Sequence, residues 1–414
     1  MKHYDQIIIG AGAAGLYYAA LCPVTNGLIL EKSPSPGRKL LLSGSGQCNL
    51  THGGSIKDYI SHYGANGKKI RTALYRANNL QLRRFWEQHG LVLTERDDGK
   101  VFPDSLKASD VLDLLLQLAK QNGWQLHCQT PVCQLTVSGA TDSVLKNSPA
   151  NTPETSTASK TPLQYCLNER YVTSRLIVAA GGCSYPDTGS DGSMLPLLQQ
   201  LGISMIPPHP SLSPITVQEY PYADLSGISF PKAVVSINGH RRSDGLLLTH
   251  SGFSGPAVLN LSRYAAIGDT ISICYTGAHT ASDLQSFDSA RSSGRTMLNW
   301  LPEESGLPKR FCEILLKRIG IDPMKKAASL SRKQLHQLHA KLTNDAFSIS
   351  GTGSFRNAMA TCGGIDLSEI DLKTFEAKRF PGLYIIGELL DIDGDTGGYN
   401  LQFAFSSAWC ASHR

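Results

Sequence analysis

Three glycines and a carboxylate near the start of the chain have the types and spacing to hold a dinucleotide. Gly10, Gly12 and Gly15 stand in the pattern G-x-G-x-x-G, directly after the apolar run Ile7-Ile8-Ile9. In that pattern the first glycine permits a tight turn and the second lets backbone N–H groups approach a pyrophosphate. The third lets a helix pack close to its strand. Ala11, Ala13 and Ala14 complete the turn and open the helix, whose positive N-terminus would receive the pyrophosphate. Glu31 closes the next apolar stretch about 20 residues on, where a carboxylate accepts ribose hydroxyls. Strand, turn, helix, second strand and acid arrive in register, and a mere packing turn would not need the acid.

Only one complete fingerprint is present. Gly44-Ser45-Gly46 lacks the third glycine, and Gly351-Thr352-Gly353 runs into Ser-Phe-Arg. One tightly held dinucleotide is therefore expected, without a separate nicotinamide domain. The far end of the chain decides which dinucleotide. Gly387-Glu388 follows the strand-like Leu383-Tyr384-Ile385-Ile386, and Gly397-Gly398-Tyr399-Asn400 opens a helix. An NAD dehydrogenase does not need such a returning segment. FAD proteins of the glutathione-reductase type do: the Gly–acid pair meets the ribityl and pyrophosphate groups, and the helix start stabilises the anionic reduced ring.

Three side chains are candidates for the chemistry itself. His250 ends an apolar run before a glycine loop and suits proton transfer, against the blander reading of a structural histidine. Cys48 lies in a Gly/Ser-rich loop, either as a redox thiol or as a small residue packed in a turn. Tyr399 shapes the ring pocket or simply packs. Asp391, Asp393 and Asp395 alternate, but the run lacks the later bidentate Glu of a calcium loop, so no metal is expected.

These groups need elements to position them, and the 414 residues suggest two or three domains. The order reads as α/β: a discontinuous, Rossmann-like FAD-binding domain over 1–195 and 345–414, a β-rich substrate-side domain over 196–281, and a helical insertion over 282–344. Residues 68–89 and 109–122 read as helices, and Trp124–Val137 and Tyr165–Leu167 as short strands. The Ser/Thr/Pro-rich stretch 138–163 reads as a flexible insertion in a surface hairpin. Hydrophobic content of 41% and charged content of 18% describe an ordinary globular protein. A net charge of +5 permits an anionic cofactor but is no dense basic footprint, so no nucleic-acid partner is expected. Ten cysteines without a C-x-x-C pair read as reduced, structural thiols. No apolar run of about 20 residues is present, and Asp5 with the three glycines interrupts any leader-like start, so a cytoplasmic protein off the membrane is expected. Oligomeric state is left open.

The blocks GRKLLLSGSGQCNLTH, AAGGCSYPDTGSDG, LLLTHSGFSGPAVLNLS, TCGGIDLSEID and GLYIIGELLDIDGDTGGYNLQFAFSSA together resemble one family. It is the bacterial NAD(P)/FAD-dependent oxidoreductases of the aminoacetone oxidase group, BaiN type, and the resemblance runs from the first strand to the last helix. It implies non-covalent FAD, a β-barrel-like domain and a small helical domain. It further implies that Gly12, Ala14, Gly15, Glu31 and Lys32 hold the AMP half, with Arg38 and Lys39 near the adenosine or pyrophosphate. Val132 would meet adenine, and Ala180, Gly181 and Gly182 would pass beneath the ribose. Ser43, Gly44, Asn49, Gly387, Glu388, Gly398, Asn400 and Leu401 would lie toward the ribityl chain and ring. Gln47 stands where Arg is usual and His52 where Asn is usual; a cation lost there would lower the flavin potential or alter substrate binding. The activity implied is hydride exchange between flavin N5 and a small organic substrate, with O₂ or a transient NADH or NADPH as redox partner. A flavin-dependent tRNA-modifying or RNA-associated protein and a non-catalytic flavin-binding sensor are the alternatives.

Overall fold

The computed structural model describes residues 1–139, 162–277 and 293–413. Most of the 138–163 insertion and the start of the expected helical segment, 282–292, therefore lie outside the described residues. The chain forms two units: Met1–His209 with Ala360–Arg414, and Pro210–Met359.

The first unit begins with β1 (Gln6–Ile9), α1 (Ala13–Leu21) and β2 (Gly27–Leu30). It continues through α2 (Arg38–Leu42), α3 (Ala108–Gln121), β3 (Trp124–His127) and β4 (Leu176–Val178). The strand expected over Trp124–Val137 is two strands, Trp124–His127 and Leu135–Ser138, with Pro131 in the break between them. A proline has no N–H to give a ladder. The helix expected over 68–89 is likewise two, Arg71–Arg76 and Asn79–Gln88, because Asn78 and Gln81 form a capping box that starts the second. Leu135–Ser138 pairs antiparallel with Gln164–Leu167, so the flanks of the insertion form a hairpin.

The second unit holds β5 (Ile215–Val217), β6 (Ser229–Ile237), β7 (His240–Leu248), β8 (Gly252–Ser254) and β9 (Thr270–Cys274). Helices α4 (Met297–Ser305), α5 (Lys309–Arg318) and α6 (Arg332–Thr343) follow, then β10 (Asp345–Thr352). The six strands close a barrel in the order β5-β8-β7-β6-β9-β10. Its lining, Ile215, Phe230, Val235, Ile271 and Ile349, shares one buried cluster with Trp300, Phe311, Leu315 and Leu338 of the helices. Barrel and helices are thus one body with one core, and the strand after α6 belongs to the barrel. The division falls at Pro210 and Ala360 rather than at 196 and 345.

The chain then returns to the first unit through β11 (Leu383–Ile385) and α7 (Tyr399–Ser412). The short strands Ile370–Asp371 and Glu376–Ala377 precede β11 and extend its sheet to seven strands, ending in the order β11-β4-β1-β2-β3. The pairs β11-β4, β4-β1, β1-β2 and β2-β3 are parallel, and Leu176-Ile177-Val178 stands opposite both Ile7-Ile8-Ile9 and Leu383-Tyr384-Ile385. Helices cover such a sheet on both faces, which is why these three runs are continuously apolar and fully buried. Each such side chain is worth about 1.5–3 kcal/mol of transfer free energy.

Candidate functional site

The glycines of the fingerprint do three different jobs. Gly10 has φ +98°, and a Cβ there would come 2.5 Å from the Ala179 carbonyl oxygen. A Cβ on Gly15 would come 2.1 Å from the Gly10 oxygen, so only glycine lets α1 lie this close to its strand. A Cβ on Gly12 would meet nothing within 4 Å. Its freedom is not needed by the protein's own packing, which fits a cradle for another molecule's backbone-bound phosphates. Gly12 also starts α1 without a side-chain cap, leaving N–H groups at Ala13 and Ala14 for an anion.

Glu31 is buried at the end of β2. Its carboxylate accepts the Ala11 N–H at 2.8 Å and the Ser33 N–H at 2.7 Å, which fixes it against the glycine turn. Gly10, Glu31, Lys32, Val132 and Ala180 line one cavity of about 230 Å³. Thr130, Pro131, Cys133, Gly189, Asp191, Ser193 and Met194 line it too and were not expected from the sequence, since they lie on separate loops. Lys32 pairs with Asp191 and donates to Ser193 at 3.0 Å, so that cation is held at the wall.

Lys39 joins two distant segments of the first unit. Its Nζ meets Glu388 Oε2 and Ser184 Oγ, each at 2.5 Å, joining α2 to the returning segment. Glu388 also accepts from Ser184 Oγ at 2.9 Å and the Thr361 N–H at 3.0 Å. Arg38 stands half-buried in the first turn of α2 and makes no ion pair among the described residues. Gly181 has φ +75°, and a Cβ on Gly182 would come 2.4 Å from Thr361 Oγ1. Gly387, at φ +72°, would bring a Cβ 3.0 Å from that of Ala14, so the Gly–Glu turn sits against the start of α1.

The other expected ring-side residues meet at the start of α7. Asn49, with its amide oxygen toward Gly398, accepts that N–H at 3.1 Å and donates to the Thr51 carbonyl at 2.9 Å. Gly44 has φ +56°, with a Cβ position 2.8 Å from the Asn49 nitrogen, while Ser43 Oγ donates to the Leu40 carbonyl. Asn400 exchanges hydrogen bonds with both backbone groups of Gly394, and Leu401 is half-buried. Like α1, α7 begins at a glycine, Gly398, without a side-chain cap. Beside the Gln47 departure stands a cation after all: Arg96 stacks on Phe102 and donates to Gln47 Oε1 at 2.6 Å.

The three candidates for the chemistry differ in their surroundings. His250 is exposed in the turn between β7 and β8 of the second unit. Cys48 is fully buried at φ +61°, and burial pushes its thiol up to about 12, so it is a neutral packed thiol near pH 7. Tyr399 is buried, with its ring stacked on His62 (4.0 Å, 12°) and on His52 (5.3 Å, 15°). Sequence reading missed His62, whose partner Asp395 lies 333 residues later.

The comparisons with known proteins point to one family. The family description "HI0933-like protein Rossmann domain" matches residues 4–414. The chain is 30% identical to the ribosomal RNA dihydrouridine synthase of Escherichia coli (strain K12), over 100% of this chain and 98% of that protein. It is 31% identical to the protein of the same name from Haemophilus influenzae, over 99% and 98%. It is also 27% identical to the 3-dehydro-bile acid delta(4,6)-reductase of Clostridium scindens, over 98% and 97%. With a Rossmann glycine turn, an FAD-type returning segment and a match along its whole length, the chain belongs to the HI0933-like family of FAD-dependent oxidoreductases.

Proposed function

We propose that this enzyme reduces a carbon–carbon double bond conjugated to a carbonyl group. The observation that carries the reading is chemical. Dihydrouridine formation and reduction of a 3-oxo Δ4,6 steroid both saturate such a bond, and those are the activities named for the three relatives. FAD, when bound, supplies the hydride. The chain's part is to hold it and the substrate. Glu31 takes the ribose hydroxyls, and Gly12 with the bare start of α1 takes the pyrophosphate. Val132 and Ala180 take the adenine end. Lys39, Ser184 and Glu388 form one charged cluster toward the ribityl chain, with Asn49, Gly398, Asn400 and Leu401 at the ring. A reduced nicotinamide that visits the site transiently is the electron source, since the sequence carries one fingerprint.

Uridine in ribosomal RNA is the second reading for the substrate, beside a small enone. Two relatives matched along nearly their whole length carry that activity in their names. The segment 59–86 supports it, holding Lys68, Lys69, Arg71, Arg76, Arg83 and Arg84 and no acid. This reading runs against the expectation, from net charge alone, of no nucleic-acid partner.

The test is an anaerobic titration of the purified protein with NADH and NADPH, followed by mixing with cyclohex-2-enone or with ribosomal RNA. Flavin bands that bleach with the nicotinamide and return with either acceptor support the reading, and the acceptor that works names the substrate class. Bands that return only with O₂ make the protein an oxidase. Absence of flavin bands after added FAD removes the cofactor and the reading together.

A further inference from the structure

We propose that His62, held by Asp395, is the proton donor that completes the reduction; the proposal rests on the double-bond reading above. Adding hydride to such a bond leaves half the reaction undone, because the second carbon needs a proton. The donor must be fixed in orientation, open on one side, and of a chemical type that exchanges protons near neutral pH.

His62 is fixed at three points. Its carbonyl accepts the Asp395 N–H at 2.8 Å, its Nδ1 lies 3.0 Å from Asp395 Oδ2, and its ring stacks on Tyr399. Asp395 is buried, whereas the His62 side chain is 33% exposed. A carboxylate only accepts, so the Nδ1 carries a hydrogen and proton exchange falls to Nε2. Asp395 lies just before Gly398, where α7 starts, and His62 lies in the short helix Ile60–Asn66 beside it; the reading above assigns the ring to that helix start. The neighbouring phenols are poorer donors. Tyr59 donates to the His52 carbonyl and Tyr63 to that of Tyr399, and burial pushes Tyr59 up to about 12 and Tyr63 and Tyr399 above the usual phenol range.

The step balances as follows. Hydride reaches the carbon β to the carbonyl, and the π pair moves toward the α carbon and the carbonyl oxygen. As an imidazolium with Nδ1–H on Asp395, His62 gives its Nε2 proton to the α carbon, which leaves the neutral Nδ1–H tautomer, and solvent returns a proton to Nε2. The substrate gains two hydrogens, and the dihydronicotinamide supplies the two electrons.

The experiment uses FAD-loaded protein, photoreduced with EDTA as electron donor and without nicotinamide, and follows flavin reoxidation by cyclohex-2-enone, by ribosomal RNA and by ferricyanide, which needs no proton donor. His62→Gln is expected to slow reoxidation by the alkene acceptor about 100-fold or more while ferricyanide reoxidises it at the parent rate. In ¹⁵N spectra of the parent, the neutral form of His62 left after donation is expected as the Nδ1–H tautomer, and Asp395→Asn to lose that preference together with the alkene rate. Equal loss with ferricyanide would show a structural role and overturn the proposal. So would a parent-like alkene rate in His62→Gln, or a loss found in Tyr399→Phe alone. A parent that reacts with ferricyanide but with neither alkene acceptor overturns the double-bond reading itself.

Discussion

Gly12 and Gly15 belong to one motif and are required for opposite reasons, which makes them a sharp test of where the cofactor lies. At Gly15 the protein itself leaves no room, with the Gly10 carbonyl oxygen 2.1 Å from a Cβ. At Gly12 the protein leaves open space. Gly15→Ala is therefore expected to push α1 off the sheet and lower the melting temperature of the apoprotein. Gly12→Ala is expected to leave that temperature within about a degree or two, as surface changes within about 0.5 kcal/mol do, yet to weaken FAD binding at least tenfold. Calorimetry of the apoprotein with FAD titration of both variants checks this. An unstable Gly12→Ala would mean that the turn serves packing alone. Cys48 was read either as a redox thiol or as a small residue packed in a turn, and burial leaves a neutral thiol there.

What the sequence made legible was whatever is written locally. The turn from β1 into α1, the apolar runs of β4 and β11 and the glycine start of α7 each carry their own signal, and the structure sets β11, β4 and β1 side by side in the sheet. Pairings across hundreds of residues carry none. Lys39 with Glu388 and His62 with Asp395 are ordinary charged residues until the fold joins them. The helices Arg71–Arg76 and Asn79–Gln88 were read as one because amphipathic spacing runs through the Asn78 cap. The RNA reading rests on charge in and just before these helices: Lys68, Lys69, Arg71 and Arg84 are exposed, whereas Arg83 is taken by Glu95. If ribosomal RNA is the substrate, replacing Lys68, Lys69 and Arg71 by Glu should weaken RNA binding at least tenfold. It should also reduce the slope of log affinity against log salt by about three, without changing turnover of cyclohex-2-enone. An unchanged slope would take these helices out of RNA contact.

The second unit was read as two domains and folds around one core, and a buried ionic cluster states why. Asp345, the first residue of β10, is fully buried. Its carboxylate meets Arg318 of α5 at 2.6 Å and Lys341 of α6 at 3.0 Å, and it accepts from Tyr222 at 2.9 Å and Tyr275 at 3.1 Å. One side chain thus ties the barrel's closing strand to two of the helices that share its core. Removing the charge leaves two cations and two phenols aimed at a site that no longer balances them, which costs about 3 kcal/mol or more for a buried pair. Asp345→Asn is therefore expected to lose hydrogen-exchange protection in β6, β9, α5 and α6 together, because a common core opens as one cooperative body. FAD retention should follow the first unit instead, since the residues assigned to the cofactor all lie there. Protection lost in α5 and α6 alone, with β6 and β9 unchanged, would restore the reading of a separate helical domain and reduce Asp345 to a local staple.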